Sequence, residues 1–286
     1  KDLSKKSGPG IDWDPPRNVV KSENRRSQSD LDLEEFFGSQ GVLSEKIDGY
    51  EDRPQQEEFA KIVYNTLEEK STALIEAGTG VGKSLGYIIP CVVWNTHQNE
   101  RKRIVITSNT KNLQEQIFRK EIPFAAHDLQ LPFSAVLLKG RKNYICLTRW
   151  NQLLNNVGER VPLSERSNLI PLIIWLKHTK TGDISENNGF PVRYNWRIWS
   201  EICSEPGYCT TSVCRKHDGC FLGKVSFAFG LAIVVVVYHS LLIVILPLSP
   251  LLSLDKLITI TSYAVYRIFH PSFIFASLHL LLSIRI

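Results

Sequence analysis

Apolar residues in this chain recur with two different periods. Across residues 54–70, Phe59, Ile62, Val63 and Leu67 fall three or four positions apart, which predicts a helix with one buried face. Thr72-Ala73-Leu74-Ile75 follows as a short apolar run and predicts a buried strand, and Leu85-Gly86-Tyr87-Ile88-Ile89 then opens another helical stretch. Arg103-Ile104-Val105-Ile106-Thr107-Ser108 and Ser134-Ala135-Val136-Leu137-Leu138 predict two further strands. Between them lies a helix that Asn109-Thr110 can cap and that carries Leu113, Gln114, Gln116 and Ile117. Leu231-Ala232-Ile233-Val234-Val235-Val236-Val237 is a continuous, mostly β-branched run, as a fully buried parallel strand requires. Strands alternating with helices at this spacing predict an α/β fold with a parallel sheet, whose ligands sit at the carboxyl ends of the strands.

The alternation is interrupted twice. Residues 1–30 carry Gly8-Pro9-Gly10, Asp14-Pro15-Pro16 and Arg25-Arg26-Ser27 without apolar periodicity, which predicts a disordered linker with Trp13 as its one anchor. A short helix at 31–37, capped by Asp30 and stopped by Gly38, is expected to follow. Residues 139–224 show no clear strand and read as a mainly helical insertion, with helices expected at 151–157 and 167–178. The first half of the α/β domain therefore spans 31–138, and its return strand and helix span 225–246. The net charge of +5 permits a polyanionic partner without demanding one.

Chemistry concentrates between the first predicted strand and the second predicted helix. Ala77-Gly78-Thr79-Gly80-Val81-Gly82-Lys83-Ser84 has the order of a phosphate-binding loop. Its glycines let successive backbone N–H groups turn inward around an anion, and the helix N-terminus adds partial positive charge. Lys83 is placed to reach the β- and γ-phosphates of a nucleotide, and the Ser84 hydroxyl to ligate Mg²⁺. Upstream, Tyr50-Glu51-Asp52-Arg53-Pro54-Gln55-Gln56 offers Gln56, whose amide can both donate to and accept from a base edge. Read alone, Gln56 is a surface helix residue; beside the phosphate loop it becomes a base-reading candidate.

The six cysteines divide by context. Cys91 lies in an apolar run and reads as a core residue. Cys146, Cys203, Cys209, Cys214 and Cys220 bracket the insertion, and Cys209-x4-Cys214-x5-Cys220 is a tight cluster. Metal ligation is a better reading than disulfides beside an ATP site. On spacing alone, zinc and an iron–sulfur cluster remain equally open, and so does a site with no metal. Near the first of these cysteines, Lys139, Arg141 and Lys142 read as phosphate contacts with a nucleic acid. Arg193-Tyr194-Asn195-Trp196-Arg197-Ile198-Trp199 interleaves basic and aromatic groups; it can stack bases, but the preferred reading is that its aromatics pack the insertion.

Arg-x-x-Gln ahead of the loop, Glu-Ala-Gly-Thr-Gly-x-Gly-Lys-Ser, Lys-Gly-Arg-x-Asn-Tyr-x-Cys and the cysteine triplet together resemble DinG-type helicases, bacterial relatives of XPD, over residues 31–242. The resemblance implies the first, RecA-like motor domain of a superfamily 2 helicase that unwinds DNA 5′→3′ with ATP and Mg²⁺. It further implies that Cys146, Cys209, Cys214 and Cys220 hold a [4Fe–4S] cluster in the insertion, leaving Cys203 a free thiol. By matching motif, Arg53 and Gln56 would contact adenine, residues 77–84 would hold the phosphates and Mg²⁺, and residues 107–114 would touch DNA. Single-stranded or forked DNA is the implied partner, DNA repair the implied process and the cytoplasm the implied location. Some relatives carry an exonuclease domain ahead of the helicase, and a linker at 1–30 would suit that junction.

The tail departs from the pattern. Residues 225–286 contain only Asp255, Lys256, Arg267 and Arg285 as formal charges, and no Glu, Asn or Gln. Residues 225–246 meet the length criterion for a membrane span, but the Val-rich strand favours the interior of the sheet, so no membrane is expected. Tyr238-His239-Ser240-Leu241-Leu242 keeps most of the family's next segment; the expected Asp-Glu-Ala-His box is absent, and Thr259-Ile260-Thr261-Ser262 stands where its acids belong. Residues 247–286 are thus expected to form no regular domain and to represent degenerate or out-of-frame sequence. With no methionine anywhere, the chain is expected to be a fragment or processed product. Without the acidic box and a second motor domain it is expected not to unwind DNA. Two rival readings are a non-catalytic single-stranded-DNA-binding cluster module and another phosphate-loop ATPase with a zinc insertion.

Overall fold

The computed structural model describes residues 19–22, 31–78, 80–100, 102–108, 110–208, 220–238, 257–266 and 278–285. Among the described residues seven strands form one sheet: β1 Val19–Lys21, β2 Ala73–Ala77, β3 Arg103–Ser108, β4 Ser134–Leu138, β5 Val234–Tyr238, β6 Leu257–Tyr266 and β7 Leu278–Arg285, in the order β1-β4-β5-β3-β6-β7-β2. The strands β4, β5, β3 and β6 run parallel to one another, while β1–β4, β6–β7 and β7–β2 pair antiparallel. The sheet is therefore mixed, with a parallel centre, rather than parallel throughout. Two reversals separate β2 from β6, so β2 points the same way as β3. Both strands deliver their carboxyl ends, Ala77 and Ser108, to one edge of the sheet.

The helices are α1 Val42–Lys46, α2 Pro54–Glu68, α3 Lys83–Thr96, α4 Lys111–Gln116, α5 Leu147–Asn155, α6 Val157–Arg160, α7 Ile170–Leu176, α8 Trp196–Ile202 and α9 Phe221–Leu231. Helix α2 starts with Pro54 at its first position, where the missing N–H costs nothing, and buries Phe59, Val63 and Leu67 as the periodicity predicts; Ile62, expected on the same face, is exposed, and Ala60 is buried in its place. Helix α3 is buried from Leu85 to Asn95, so its apolar character runs all round, which fits an element enclosed by its neighbours. The two helices approach closely at Gly86, where an added Cβ would lie 2.7 Å from Phe59 Cδ1. Helix α4 begins at Thr110, whose Oγ1 accepts from Leu113 N at 3.2 Å, and continues through two π-helical segments, Ile117–Glu121 and Phe124–Asp128.

Several expectations differ from this architecture. Residues 33–40 form turns, and the first helix is α1 instead of a helix at 31–37. Strand β2 is only half-buried, with Leu74 72% exposed, because it lies at the sheet's edge with β7 as its single neighbour. Strand β5 starts at Val234 rather than at the head of the Val-rich run; Leu231 ends α9, and Ala232 and Ile233 link the two. Val19–Lys21, inside the stretch read as a linker, adds an antiparallel edge strand to β4. The tail, for which the sequence predicts no domain, supplies the backbone of β6 and β7. Trp13, Asp30 and residues 239–256 lie outside the described residues. Among the described residues no helix is long and apolar enough to cross a membrane.

The insertion leaves β4 at Lys139 and returns through α9 to β5. It has a hydrophobic core of its own around Trp150, Leu153, Leu172, Phe190, Trp199 and Ile202. Its expected helix at 151–157 is α5, shifted towards the N-terminus, and the one at 167–178 is a 3₁₀ segment, Leu163–Leu169, followed by α7.

Candidate nucleotide-binding site

The loop between β2 and α3 has the backbone that its glycines predict. Gly80 and Gly82 adopt φ of 87° and 80°, a region that other residues enter only with strain. A Cβ on Gly78 or Gly80 would meet nothing within 4 Å, so this part of the loop faces open space and not protein. Gly82 differs: a Cβ there would lie 2.2 Å from Gln56 Nε2, so a side chain would strain the left-handed backbone and push the Gln56 amide aside. Thr79 lies outside the described residues, and Val81 and Ser84 are half-buried.

The predicted base-reading residues do reach the loop, but through its carbonyls. Gln56, only 5% exposed, donates from Nε2 to Gly82 O at 2.9 Å. Arg53 donates from Nη1 to Gly80 O at 2.8 Å. Both side chains leave α2 at its first turn, where the helix meets the loop across the Phe59–Gly86 contact. Lys83 donates from Nζ to Ala77 O at 3.0 Å and to Gly78 O. Its ammonium is thus held inside the curve of the loop. Partial burial pulls the Lys83 pKa below the usual lysine value, and a bound anion would offset that burial.

Beside Gly82 opens a cavity of about 630 Å³, lined on one wall by Lys46, Ile47, Tyr50, Arg53 and Gln56 and on the other by Arg119, Glu121 and Phe124. Its size suits a small ligand. The second wall comes from the π-helical run after α4, far along the chain from the loop; no motif marks it, and sequence reading missed it. Burial pushes the Glu121 carboxyl above the ordinary range, against the hydrogen bond from Gln116 and the charge of Lys120.

Of the residues expected to contact DNA, Thr110, Lys111 and Asn112 are exposed, while Thr107, Ser108 and Gln114 are buried. Gln114 donates to Leu138 O at 3.4 Å and ties α4 to β4. The reading of Lys139 as a phosphate contact is corrected: its side chain is 9% exposed and its ammonium is engaged by Glu115 and Asp183. Arg141 and Lys142 are exposed. In the basic–aromatic stretch, Ile198 and Trp199 are core residues, but Tyr194 and Trp196 are exposed, with Arg193 over the Tyr194 ring at 4.7 Å and Lys142 near the Trp196 ring at 6.0 Å.

The described cysteines fall into two kinds. Cys91 and Cys203 are buried, and burial raises the pKa of both thiols; Cys203 Sγ lies 3.8 Å from Ser200 O. Cys146 and Cys220 are partly exposed and stand at the N-caps of α5 and α9. Gly223 N donates to Cys220 Sγ at 3.4 Å. Cys209 and Cys214 lie outside the described residues; among the described residues no three metal-ligating side chains gather.

The DEAD/DEAH box helicase family matches residues 53–156, from Arg53 through the loop, α4 and β4 into the insertion. The chain is 32% identical over 208 residues to the ATP-dependent DNA helicase YoaA of Haemophilus influenzae, covering 72% of this chain and 31% of that protein. YoaA of Escherichia coli is 32% identical over 205 residues, with the same coverage. The 3'-5' exonuclease DinG of Bacillus subtilis is 32% identical over 151 residues, 53% of this chain and 16% of that protein. The chain thus spans about a third of the length of the YoaA proteins. Residues 53–156 thus match a DEAD/DEAH box helicase domain, and the chain is similar to proteins named YoaA and DinG.

Proposed function

We propose that the chain is the nucleotide-binding part of an ATP-dependent DNA helicase of the DinG type, acting 5′→3′ on single-stranded or forked DNA in the cytoplasm, in DNA repair. The observation that carries the reading is the joint geometry of the loop: two glycines at positive φ, Lys83 curled into the loop, and Arg53 and Gln56 bonded to its carbonyls. In this reading the triphosphate takes the inside of the loop, and the Lys83 ammonium exchanges the Ala77 and Gly78 carbonyls for phosphate oxygens. Ser84 would hold Mg²⁺, which neutralises charge on the phosphates. Adenine would enter the cavity beside Gly82, within reach of Arg53 and Gln56. Residues 77–84 form the phosphate cradle, Thr79 among them.

Hydrolysis is not part of the proposal for this chain alone. Strand β6 lies parallel to β3, and its Thr261 and Ser262 stand level with Thr107 and Ser108 at the ligand edge, where a Mg²⁺-holding acidic pair belongs. In the family the matching box is acidic; β6 carries no acid at all. Binding without turnover is the expected behaviour.

The insertion is proposed to hold a [4Fe–4S] cluster on Cys146, Cys209, Cys214 and Cys220. The chemistry of the two described ligands fits: both are partly exposed and sit at helix N-caps, unlike the buried Cys91 and Cys203. The cluster would tie the two ends of the insertion together. The DNA track is proposed to include Lys111, Arg141 and Lys142, with Tyr194 and Trp196 as stacking surfaces; the exposure of both aromatics favours this over the packing reading.

Two measurements test the reading. Anaerobic purification with iron, sulfide and zinc quantified should give about four irons per chain and broad absorption near 400 nm. One zinc and no iron would favour a different phosphate-loop ATPase. Titration with single-stranded DNA should show affinity that falls steeply with salt and falls again when Tyr194 and Trp196 are replaced by alanine. DNA binding that ignores both substitutions would remove the proposed track.

A further inference from the structure

A network of charges with a buried pair at its centre lies where the insertion meets helix α4, and neither nucleotide nor DNA chemistry accounts for it. Lys139, the first residue after β4, directs its ammonium to Glu115 of α4, to Asp183 Oδ2 at 2.5 Å and to Ser185 Oγ at 2.7 Å. The side chains of Lys139 and Asp183 are only 9% and 7% exposed. The other Glu115 oxygen accepts from Arg119 Nε at 2.5 Å, and Arg119 Nη2 reaches Glu186 Oε1 at 3.3 Å. Each anion is further fixed within the insertion: Ser185 N donates to Asp183 Oδ1 at 3.0 Å and Thr181 Oγ1 to Glu186 Oε2 at 2.7 Å. Backbone contacts add to the frame, since Tyr144 pairs with Asp183, and Lys139 N donates to the Tyr144 hydroxyl at 3.1 Å.

Charges buried as deeply as Lys139 and Asp183 contribute little net stability as a pair, but breaking one partner away leaves the other uncompensated. Helix α4 therefore cannot shift against residues 181–186 without exposing or orphaning buried charge. Arg119 belongs to the network and also to the wall of the cavity beside Gly82. A continuous set of contacts thus runs from the cavity wall through Arg119, Glu115 and Lys139 to Asp183 and Glu186.

We infer that Lys139 is a positioning residue that makes α4 and the 181–186 segment a single unit, so that displacement of the cavity wall is passed to the insertion. The second half of this statement rests on the nucleotide reading above; the first half does not. Coupling requires that both ends respond together.

Amide hydrogen exchange on the full 286-residue chain gives that readout. Lys139→Met should raise exchange by about tenfold or more in both 111–116 and 181–186, while 103–108 and 134–138 keep their protection. Lys139→Arg, which keeps the charge, should stay near wild type. A rise on one side only, or none, overturns the joint. Should Lys139→Met fail to fold, Glu115→Gln and Asp183→Asn serve instead: each must loosen the segment opposite its own. ATP with Mg²⁺ should then alter exchange at 181–186 in the wild type and lose that effect in Asp183→Asn. Nucleotide that protects 80–84 but leaves 181–186 unchanged overturns the transmission. If nucleotide protects neither segment, the nucleotide reading has failed, and the joint is decided by the first comparison.

Discussion

At the scale of single residues, the loop is the best-defined part of the molecule. Gly82 carries two constraints, a left-handed backbone and the Gln56 amide against its Cα. Gly82→Ala is therefore expected to lose about 1–2 kcal/mol from backbone strain alone, before the displacement of Gln56 is counted. Denaturant unfolding checks the stability, and a Gly82→Ala protein as stable as the wild type would contradict the packing described here. Lys83→Ala is different in kind, because among the described residues the ammonium bonds to loop carbonyls and is part-exposed. Stability should change little, whereas affinity for ATP should fall. Residue identity made the loop legible in the sequence, since the order of glycines, lysine and serine has few other uses. It did not reveal what Lys139 does. A basic residue beside other basic residues reads as a phosphate contact until the fold places Glu115 and Asp183 around it.

At the scale of elements, the contact between α2 and α3 sets the position of the site. Phe59 packs over Gly86, and one turn earlier Gln56 meets Gly82, so the first turn of each helix is aligned by the same crossing. Phe59→Ala should cost about 3–5 kcal/mol, as for other large buried aromatics, and should weaken nucleotide binding with it. Thermal unfolding measured together with ATP affinity checks both; a loss of stability with binding intact would separate the crossing from the site.

Helix α4 supplies a pH-dependent prediction. Burial pushes the Glu115 carboxyl up, but the hydrogen bonds and charges of Lys139 and Arg119 outweigh it and hold the group below its usual 4.5. A depressed folded value means that the stabilisation is present above about pH 4.5 and is lost as the pH falls through the lowered value. Asp183 and Glu186 face the same cations across the junction. Stability measured from pH 6 down to about pH 3 should therefore fall less steeply in Glu115→Gln than in the wild type; parallel curves would show that the network does not carry the dependence. Periodicity alone found α2, β3 and β4, because each buries one face or a whole run. It misplaced the start of β5, since the run from Leu231 to Val237 begins at the last residue of α9, and hydrophobicity does not change before the strand opens at Val234.

At the scale of the whole molecule, the sheet gathers distant pieces of sequence at one ligand edge. Strand β2 brings the loop, β3 brings Thr110 and α4, and β4 opens the insertion. The alternation of strands and helices made the parallel centre legible. The antiparallel additions were not, because β1 is only three residues long and β7 reaches β2 from the far end of the chain. Nor could the pattern show that the insertion would be fastened to α4 by charge, as its ion partners are spread from Glu115 to Glu186.

The central claim is that residues 77–84 bind a nucleotide through its phosphates. Equilibrium titration of the chain with a fluorescent ATP analogue and Mg²⁺, alongside Lys83→Ala, tests it directly. The account predicts saturable binding by the wild type that weakens at least about tenfold in the variant, equivalent to about 1.4 kcal/mol, with unfolding curves that coincide. Equal affinity in the two proteins, or no saturable binding to a folded wild type, would contradict it.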